Sequence, residues 1–164
     1  MNSSDLFMRL QQLCSAFRSS AGIDCGFVVN PAHTNFDAVI GEVLFRAVRE
    51  LLANVRKHAR AKRAELSSAV LEDGSFVFTV RDDGIGMAIS NENDPRFDKV
   101  GLGLWSIDLH LREIGAFMEI ESDGGVCASI VFPGKLIDSG APGLHFYTLN
   151  QAALPVEIWR RLGL

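Results

Sequence analysis

From Asp37 to about Arg60 the apolar residues Leu44, Val48, Leu51, Leu52, Val55 and Ala59 recur three or four positions apart. That period predicts one long helix with a single apolar stripe, N-capped by Asp37. A continuous stripe must lie against other apolar surface, and a sheet supplies it. Glu50, Asn54, Lys57 and His58 fall on a different face of the same helix, at spacings of three and four residues that put their side chains within reach of one ligand. The helix thus presents one face to a core and another to a cleft.

The rest of the chain reads as the sheet and its flanking helices. Leu6, Leu10, Leu13 and Phe17 predict an amphipathic helix over 5–19, closed by Ser19-Ser20-Ala21-Gly22. A short strand at 25–29 leads into the turn Asn30-Pro31-Ala32-His33. Residues 63–72 and 75–82 read as two strands joined by Asp73-Gly74, a strong hairpin signal, with Phe76, Phe78 and Val80 on one face. A polar stretch, 87–100, precedes a helix expected at 104–114 and ended by Gly115. Strands at 116–121 and 126–132 flank Asp123-Gly124-Gly125, and Pro133 stops the sheet. The expected architecture is α+β, a two-layer α/β sandwich with a mixed, mostly antiparallel sheet covered by helices. Beyond it, 134–164 reads as a linker and a short helix near 154–162, either packed on its own domain or bound to a partner helix.

Composition narrows the function classes. With 48% apolar and 22% charged residues in 164, the chain suits one compact domain with tails. A formal net charge of −4 speaks against a chain built to neutralise nucleic-acid phosphates, and the run Arg56, Lys57, His58, Arg60, Lys62, Arg63 is local. Cys14, Cys25 and Cys127 are odd in number and widely spaced, which suggests neither a disulfide framework nor a zinc site and fits a reducing cytoplasm. No apolar run approaches the roughly 18 residues of a membrane span, and the start lacks the regions of a signal peptide. No membrane contact is expected of this segment.

Three clusters carry the chemistry. On the long helix, Asn54 offers a neutral oxygen suited to Mg²⁺, Lys57 an ammonium for phosphate, and Glu50 a carboxylate to orient or deprotonate an attacking group. A solvated polar face with internal Glu/Lys pairing is the alternative for this cluster alone. Next, Asp82 ends a strand where a carboxylate can accept from the 6-amino group of adenine and repel the carbonyl of guanine; Gly84 and Gly86 let backbone approach the base. A plain strand-ending turn is the competing reading. Last, Gly101-Leu102-Gly103-Leu104 is expected where a loop becomes a helix, a place where free N–H groups bind phosphate, and 87–100 before it suggests a lid. Packing or capping glycines are the alternative there.

In this order, the clusters resemble the GHKL ATPases, and within them the catalytic ATP-binding domain of bacterial two-component sensor histidine kinases. The resemblance covers 22–133, with 1–21 a preceding helix. Glu50…Asn54…Lys57-His58 is similar to the family's N box, Asp82-x-Gly84-x-Gly86 to its G1 box, Gly101-x-Gly103-Leu104 to its G2 box, and Arg96-Phe97-Asp98 to its F box. The Asn-x-x-Lys-His-Ala ending resembles the nitrate-sensor and thermosensor subfamily. The resemblance implies the Bergerat fold, with Mg²⁺ on Asn54, phosphate on Lys57, adenine on Asp82, and nucleotide contacts from His58, Gly84, Gly86, Gly101, Gly103 and Leu104. It implies a protein histidine kinase that passes the γ-phosphate of ATP to a histidine on a dimerisation helix, and from there to a response regulator.

Two departures stand out. Gly125-Val126 replaces the family's usual Gly-Thr, so a hydroxyl that supports the adenine contact is absent. His33, His58, His110 and His145 are followed by Thr, Ala, Leu and Phe, so none resembles the phosphoacceptor, which is followed by an acidic residue. The 5–19 helix is either the trailing part of that acceptor region or a helix of this domain. A free-standing anti-sigma-type serine kinase and a non-catalytic ATP-dependent switch remain as alternatives.

Overall fold

The computed structural model describes residues 3–86 and 97–134. Helix α1 (Ser3–Ala21) leads to strand β1 (Asp24–Val28), a 3₁₀ turn (Pro31–Thr34) and helix α2 (Ala38–Asn54), which runs directly into a π-helical turn (Val55–Ala59). Strands β2 (Arg63–Val70) and β3 (Phe76–Asp82), helix α3 (Phe97–Glu113), and strands β4 (Phe117–Ser122) and β5 (Val126–Phe132) complete the order. Of the lid suggested at 87–100, residues 97–100 form the first turn of α3; the remainder, 87–96 with Arg96, lies outside the described residues, as do His145, the linker and the helix near 154–162.

The five strands form one sheet in the order β1-β2-β3-β5-β4. Only β1 and β2 are parallel, joined by the α2 crossover that a parallel pair requires; the other three pairings are antiparallel. This is the mixed, mostly antiparallel α+β sandwich expected from the sequence. The hairpin β2–β3 turns at Asp73-Gly74, where Gly74 has φ 80° and the Asp73 carboxylate accepts from the Ser75 N–H at 2.9 Å. Asp37 caps α2 as expected, its Oδ1 accepting from the N–H groups of Val39 and Ile40, each at 2.9 Å.

One face of the sheet carries the core. Leu44, Val48, Leu51, Leu52, Val55 and Ala59 are all buried, as the stripe requires, and face Leu66, Phe78, Val80, Ala128, Ile130 and Phe132 from β2, β3 and β5. Helix α1 adds Leu6, Leu10, Cys14 and Phe17 to the same cluster. It packs on α2 and β1, so it is a helix of this core. Cys14 takes the fully buried position where Leu13 was expected, because the 6-10-14-17 line points more directly inward; Leu13 packs at its margin. Cys14, Cys25 and Cys127 are free thiols.

Helix α3 departs from expectation. It starts at Phe97, not 104, so Gly101 and Gly103 lie within the helix, beyond the first four residues whose N–H groups lack intrahelical acceptors. Phosphate binding by free amides of a helix start at these two glycines is therefore not what this arrangement offers. Gly115, with φ 75°, ends the helix as predicted, and its N–H and that of Ala116 return to the Arg112 and Leu111 carbonyls.

Candidate functional site

A cleft opens at the end of the sheet where β3 finishes and β5 begins. It encloses about 510 Å³ of space, part of it open to solvent. Its floor is Val80 and Asp82 of β3, Ile120 of β4, and Val126 and Ala128 of β5; its roof is Leu51 and Asn54 of α2 with Val55, His58 and Ala59 of the π turn. Gly86 and Leu104 close its flanks.

The π turn shapes the roof. Residues 55–59 widen the last turn of the helix, and Arg60 then leaves it with φ 52°, a left-handed C-cap. The Ala59 carbonyl accepts from the Ile85 N–H at 2.8 Å, which ties the roof to the loop after β3. Gly84 makes this tie feasible: a Cβ there would collide with the Ala59 carbonyl oxygen. Gly86, at φ 74°, turns the chain back over Ser122 and Gly125.

Within this frame the polar groups separate by role. Asp82 is only 6% exposed, and its Oδ1 accepts from the Gly84 N–H at 2.8 Å. Among the described residues its other oxygen has no partner. Asp83, one residue on, points the other way: its carboxylate accepts from the N–H groups of Lys62 and Arg63, both at 2.8 Å, and from Arg63 Nε at 3.1 Å. Those bonds, led by the Arg63 and Lys62 amides, hold the Asp83 carboxyl below its usual pKa. Sequence favoured Asp82 over Asp83 by family pattern alone; the structure supplies a physical distinction, one carboxylate fastening β2 and the other facing the cleft.

Asn54 is the second polar group of the cleft. Its Nδ2 is buried and makes no hydrogen bond among the described residues. Such an orphan costs free energy in the ligand-free fold, about 1–3 kcal/mol. Its side chain and that of His58 both face the cleft, whereas Lys57 is exposed and does not line it. Glu50 lies beside α3, where a Cβ on Gly103 would sit 3.2 Å from Glu50 Oε1. The four polar residues of the helix therefore divide: Asn54 and His58 in the cleft, Glu50 at the α2–α3 contact, and Lys57 exposed outside the lining. Of the glycine cluster, Leu104 lines the cleft and Gly103 sets the approach of α3 to Glu50, while Gly101 lies in the turn before.

Of the apolar walls, Ile120 and Ala128 were not singled out in the sequence. Ala128 carries the best signal: it is a small residue in the inward row Val126, Ala128, Ile130, Phe132, and its short side chain leaves space above the sheet. Gly125, read there as part of a turn and as the glycine before Val126, packs against the backbone of Asp82, whose carbonyl oxygen occupies the space a Cβ would need. Among the described residues no group of three or more His, Cys, Asp or Glu side chains is placed to hold a metal ion. No helix among them is long and apolar enough to cross a membrane.

The family model described as histidine kinase-, DNA gyrase B-, and HSP90-like ATPase matches residues 41–136. The chain belongs to this ATPase family. The matched span includes all three clusters and the whole cleft. Among solved structures, the ATPase fold is similar to the histidine kinase domain of the Erythrobacter litoralis EL346 blue-light activated histidine kinase, at 20% identity and a TM-score of 0.66, over 82% of this chain and 64% of that one. It is also similar to the Acinetobacter baumannii histidine kinase AdeS (16% identity, TM-score 0.59, 77% of this chain and 64% of that one). The mycobacterial sensor histidine kinase MprB gives 16% identity and a TM-score of 0.58, over 82% of this chain and 97% of that one. At such identities the similarity is one of fold. The ATPase chain thus spans just under two thirds of the first relative's length. Comparison with curated protein sequences finds no match.

Proposed function

We propose that this ATPase domain binds Mg-ATP in the cleft and donates the γ-phosphate to a histidine on a separate dimerisation helix, from which a response regulator takes it. The reading places the domain in the cytoplasm, as the catalytic half of a two-component histidine kinase. The observation that carries it is the pairing of a buried carboxylate, Asp82, with an orphaned buried amide, Asn54, across one apolar cleft. Apolar walls suit the faces of a purine, and two polar groups on opposite walls suit its edge and its phosphates.

Each residue then has a task. Asp82 accepts from the 6-amino group of adenine, and Gly84 and Gly86 keep the loop backbone close to the base. The Asn54 amide, unpaired in the ligand-free fold, fits a triphosphate complex: its nitrogen can donate to a phosphate oxygen, or its oxygen can ligate Mg²⁺, a cation that takes few protein ligands and keeps waters and phosphates. Magnesium, when bound, neutralises phosphate charge. Lys57 adds positive charge toward the phosphates, and His58 in the roof adds a hydrogen bond. Glu50 orients the incoming imidazole, and Gly101, Gly103 and Leu104 keep the α3 side low enough for the phosphates to pass. Chemistry of this kind is mostly positioning, and the nucleophile comes from another helix.

The test is incubation of the chain with γ-labelled ATP, with and without a fragment carrying a phosphoacceptor helix. Acid-labile label on the fragment is expected. Acid-stable label on a serine or threonine substrate would instead establish the anti-sigma-type activity. ATP binding with no transfer to any acceptor would leave the switch reading in its place.

A further inference from the structure

The sheet has a second face, turned away from the helices, whose rows follow from the strand register. Nearest the hairpin, Ala69, Val77, Val131 and Phe117 stand in line across β2, β3, β5 and β4. The next row is Ser67, Thr79, Ser129 and Glu119, where the Thr79 and Ser129 hydroxyls meet at 3.2 Å. At the cleft end stand Glu65, Arg81, Cys127 and Glu121. Two rows are thus mainly polar, as on a sheet face left to solvent, and one is apolar throughout. Exposed Val28, on the edge strand β1 beside Ser67, extends the apolar part.

Burial follows the same gradient. Along β3 the outward side chains pass from buried Val77 through half-buried Thr79 to exposed Arg81, and along β5 Val131 is buried while Ser129 and Cys127 are half-buried. Val77 and Val131 are only 9% and 8% exposed, yet neither belongs to the core cluster. Every described helix gives buried side chains to that core, on the opposite face. Neighbours within the row supply little cover from above: Phe117 is itself half-buried, and Ala69 is exposed and offers a single methyl group.

We propose that this apolar row is the docking site of the chain's own segment 154–162. The chain leaves the sheet beside the row: Pro133 ends β5 just past Val131, and the Gly134 N–H donates to Ser75 Oγ at 3.3 Å at the hairpin. In the segment, Leu154, Ile158 and Leu162 fall on one stripe at helical spacing, with Trp159 on one flank and Arg161 on the other. The stripe suits the row, and Arg161 suits Glu119 in the row beside it. Reach is not limiting. Three strand spacings make the row about 14 Å wide, and residues 135–153, as a flexible tether, span on the order of 25 Å. Such a tether holds the segment at an effective concentration on the order of millimolar, above what a second copy reaches in dilute solution.

The test uses Trp159 as an intrinsic probe in the full 164-residue chain carrying Trp105→Phe, which leaves one tryptophan. Docking predicts blue-shifted emission and acrylamide quenching severalfold slower than in the same chain with Leu162→Asp, at every protein concentration. Ala69→Asp, at an exposed strand position, should remove the protection as Leu162→Asp does, whereas Val39→Asp, at an exposed apolar position of α2, should leave it intact. Val28→Asp, at the exposed β1 edge of the same face, gives the second reading if Ala69→Asp does not fold. A Trp159 quenched as fast as in Leu162→Asp overturns the proposal. So does protection that survives both face substitutions in folded protein, since the segment then docks elsewhere. Protection that grows with protein concentration overturns it in favour of a second copy on this face.

Discussion

The two ends of the sheet are built on opposite principles. At the hairpin end, Phe36 lies among Phe76, Phe78 and Phe132, with ring centroids 6.1, 6.1 and 4.9 Å away. The polar groups there are partnered: the Ser68 hydroxyl bonds with His33 Nδ1 at 2.9 Å and accepts from the Asn30 N–H at 3.0 Å, and the buried Thr34 hydroxyl donates to the Pro31 carbonyl at 2.7 Å. At the cleft end the walls are equally apolar, yet Asn54 Nδ2 is orphaned and Asp82 keeps an oxygen without a partner among the described residues. Interiors tolerate few unpaired polar groups. The one buried side-chain orphan among the described residues, Asn54 Nδ2, stands at the cleft end, as the proposed ligand site requires.

The sharpest break between the ends should come from the aromatic cluster. Phe78 is fully buried, and Phe78→Ala is expected to lower unfolding free energy by about 3–5 kcal/mol, through lost burial and a residual cavity. Urea denaturation measures it. ATP affinity of the molecules that remain folded, measured at low temperature, should change little. A large affinity loss in fully folded protein would mean that the two ends are not separate.

The next effect is the mirror image. Asp82→Asn keeps an oxygen for the Gly84 N–H but adds a donor where the 6-amino group needs an acceptor, so ATP affinity should fall roughly 10- to 100-fold. The unfolding midpoint should move far less than in Phe78→Ala. An unchanged affinity would remove Asp82 from the base contact.

How much of this contrast could be read in the sequence follows from the range of the forces involved. The Leu44–Ala59 stripe, the Asp37 cap and the Asp73-Gly74 turn are local signals, and each stands where the sequence put it. The start of α3 was misplaced because Gly101 and Gly103 read as breakers, at up to about 1 kcal/mol each. Contact with Glu50 favours a missing side chain at Gly103, a reason that lies in a different helix and not in the local sequence. The π turn was not legible at all. Val55-Arg56-Lys57-His58-Ala59 is ordinary helical sequence, and the bond between the Ala59 carbonyl and Ile85 comes from a loop on the far side of a hairpin. Polar residues of the site were legible by type and spacing; its walls depended on which strands became neighbours.

Asn54 allows a test in which stability and ligand binding respond with opposite signs. Asn54→Leu replaces an unpaired buried amide with an apolar side chain of similar size, and should stabilise the ligand-free protein by about 1 kcal/mol. The same change should abolish the magnesium dependence of ATP binding, read by titration with and without the ion. A destabilised Asn54→Leu protein would mean that the amide is satisfied in the free fold, and the contrast between the ends would weaken accordingly.

The smallest effect concerns Asp83, which sits at the cleft end yet behaves like the hairpin end. Its carboxylate accepts from the Arg63 and Lys62 amides and pairs with Arg63 Nε, and these bonds hold its pKa below the usual value. A carboxyl with a depressed folded-state pKa adds stability above its unfolded pKa, about 3.9, and that contribution is lost as pH falls through the folded-state value. Asp83→Asn can still accept from both amides but has no charge to titrate. The stability gap between the two proteins should therefore favour Asp83 and stay level from about pH 7 to pH 5, then close as the pH drops below about 3.9. Urea unfolding of both proteins across that range measures the gap. If it widened on acidification, the fastening of Asp83 to β2 would be the wrong account of why only one of two adjacent aspartates faces the cleft.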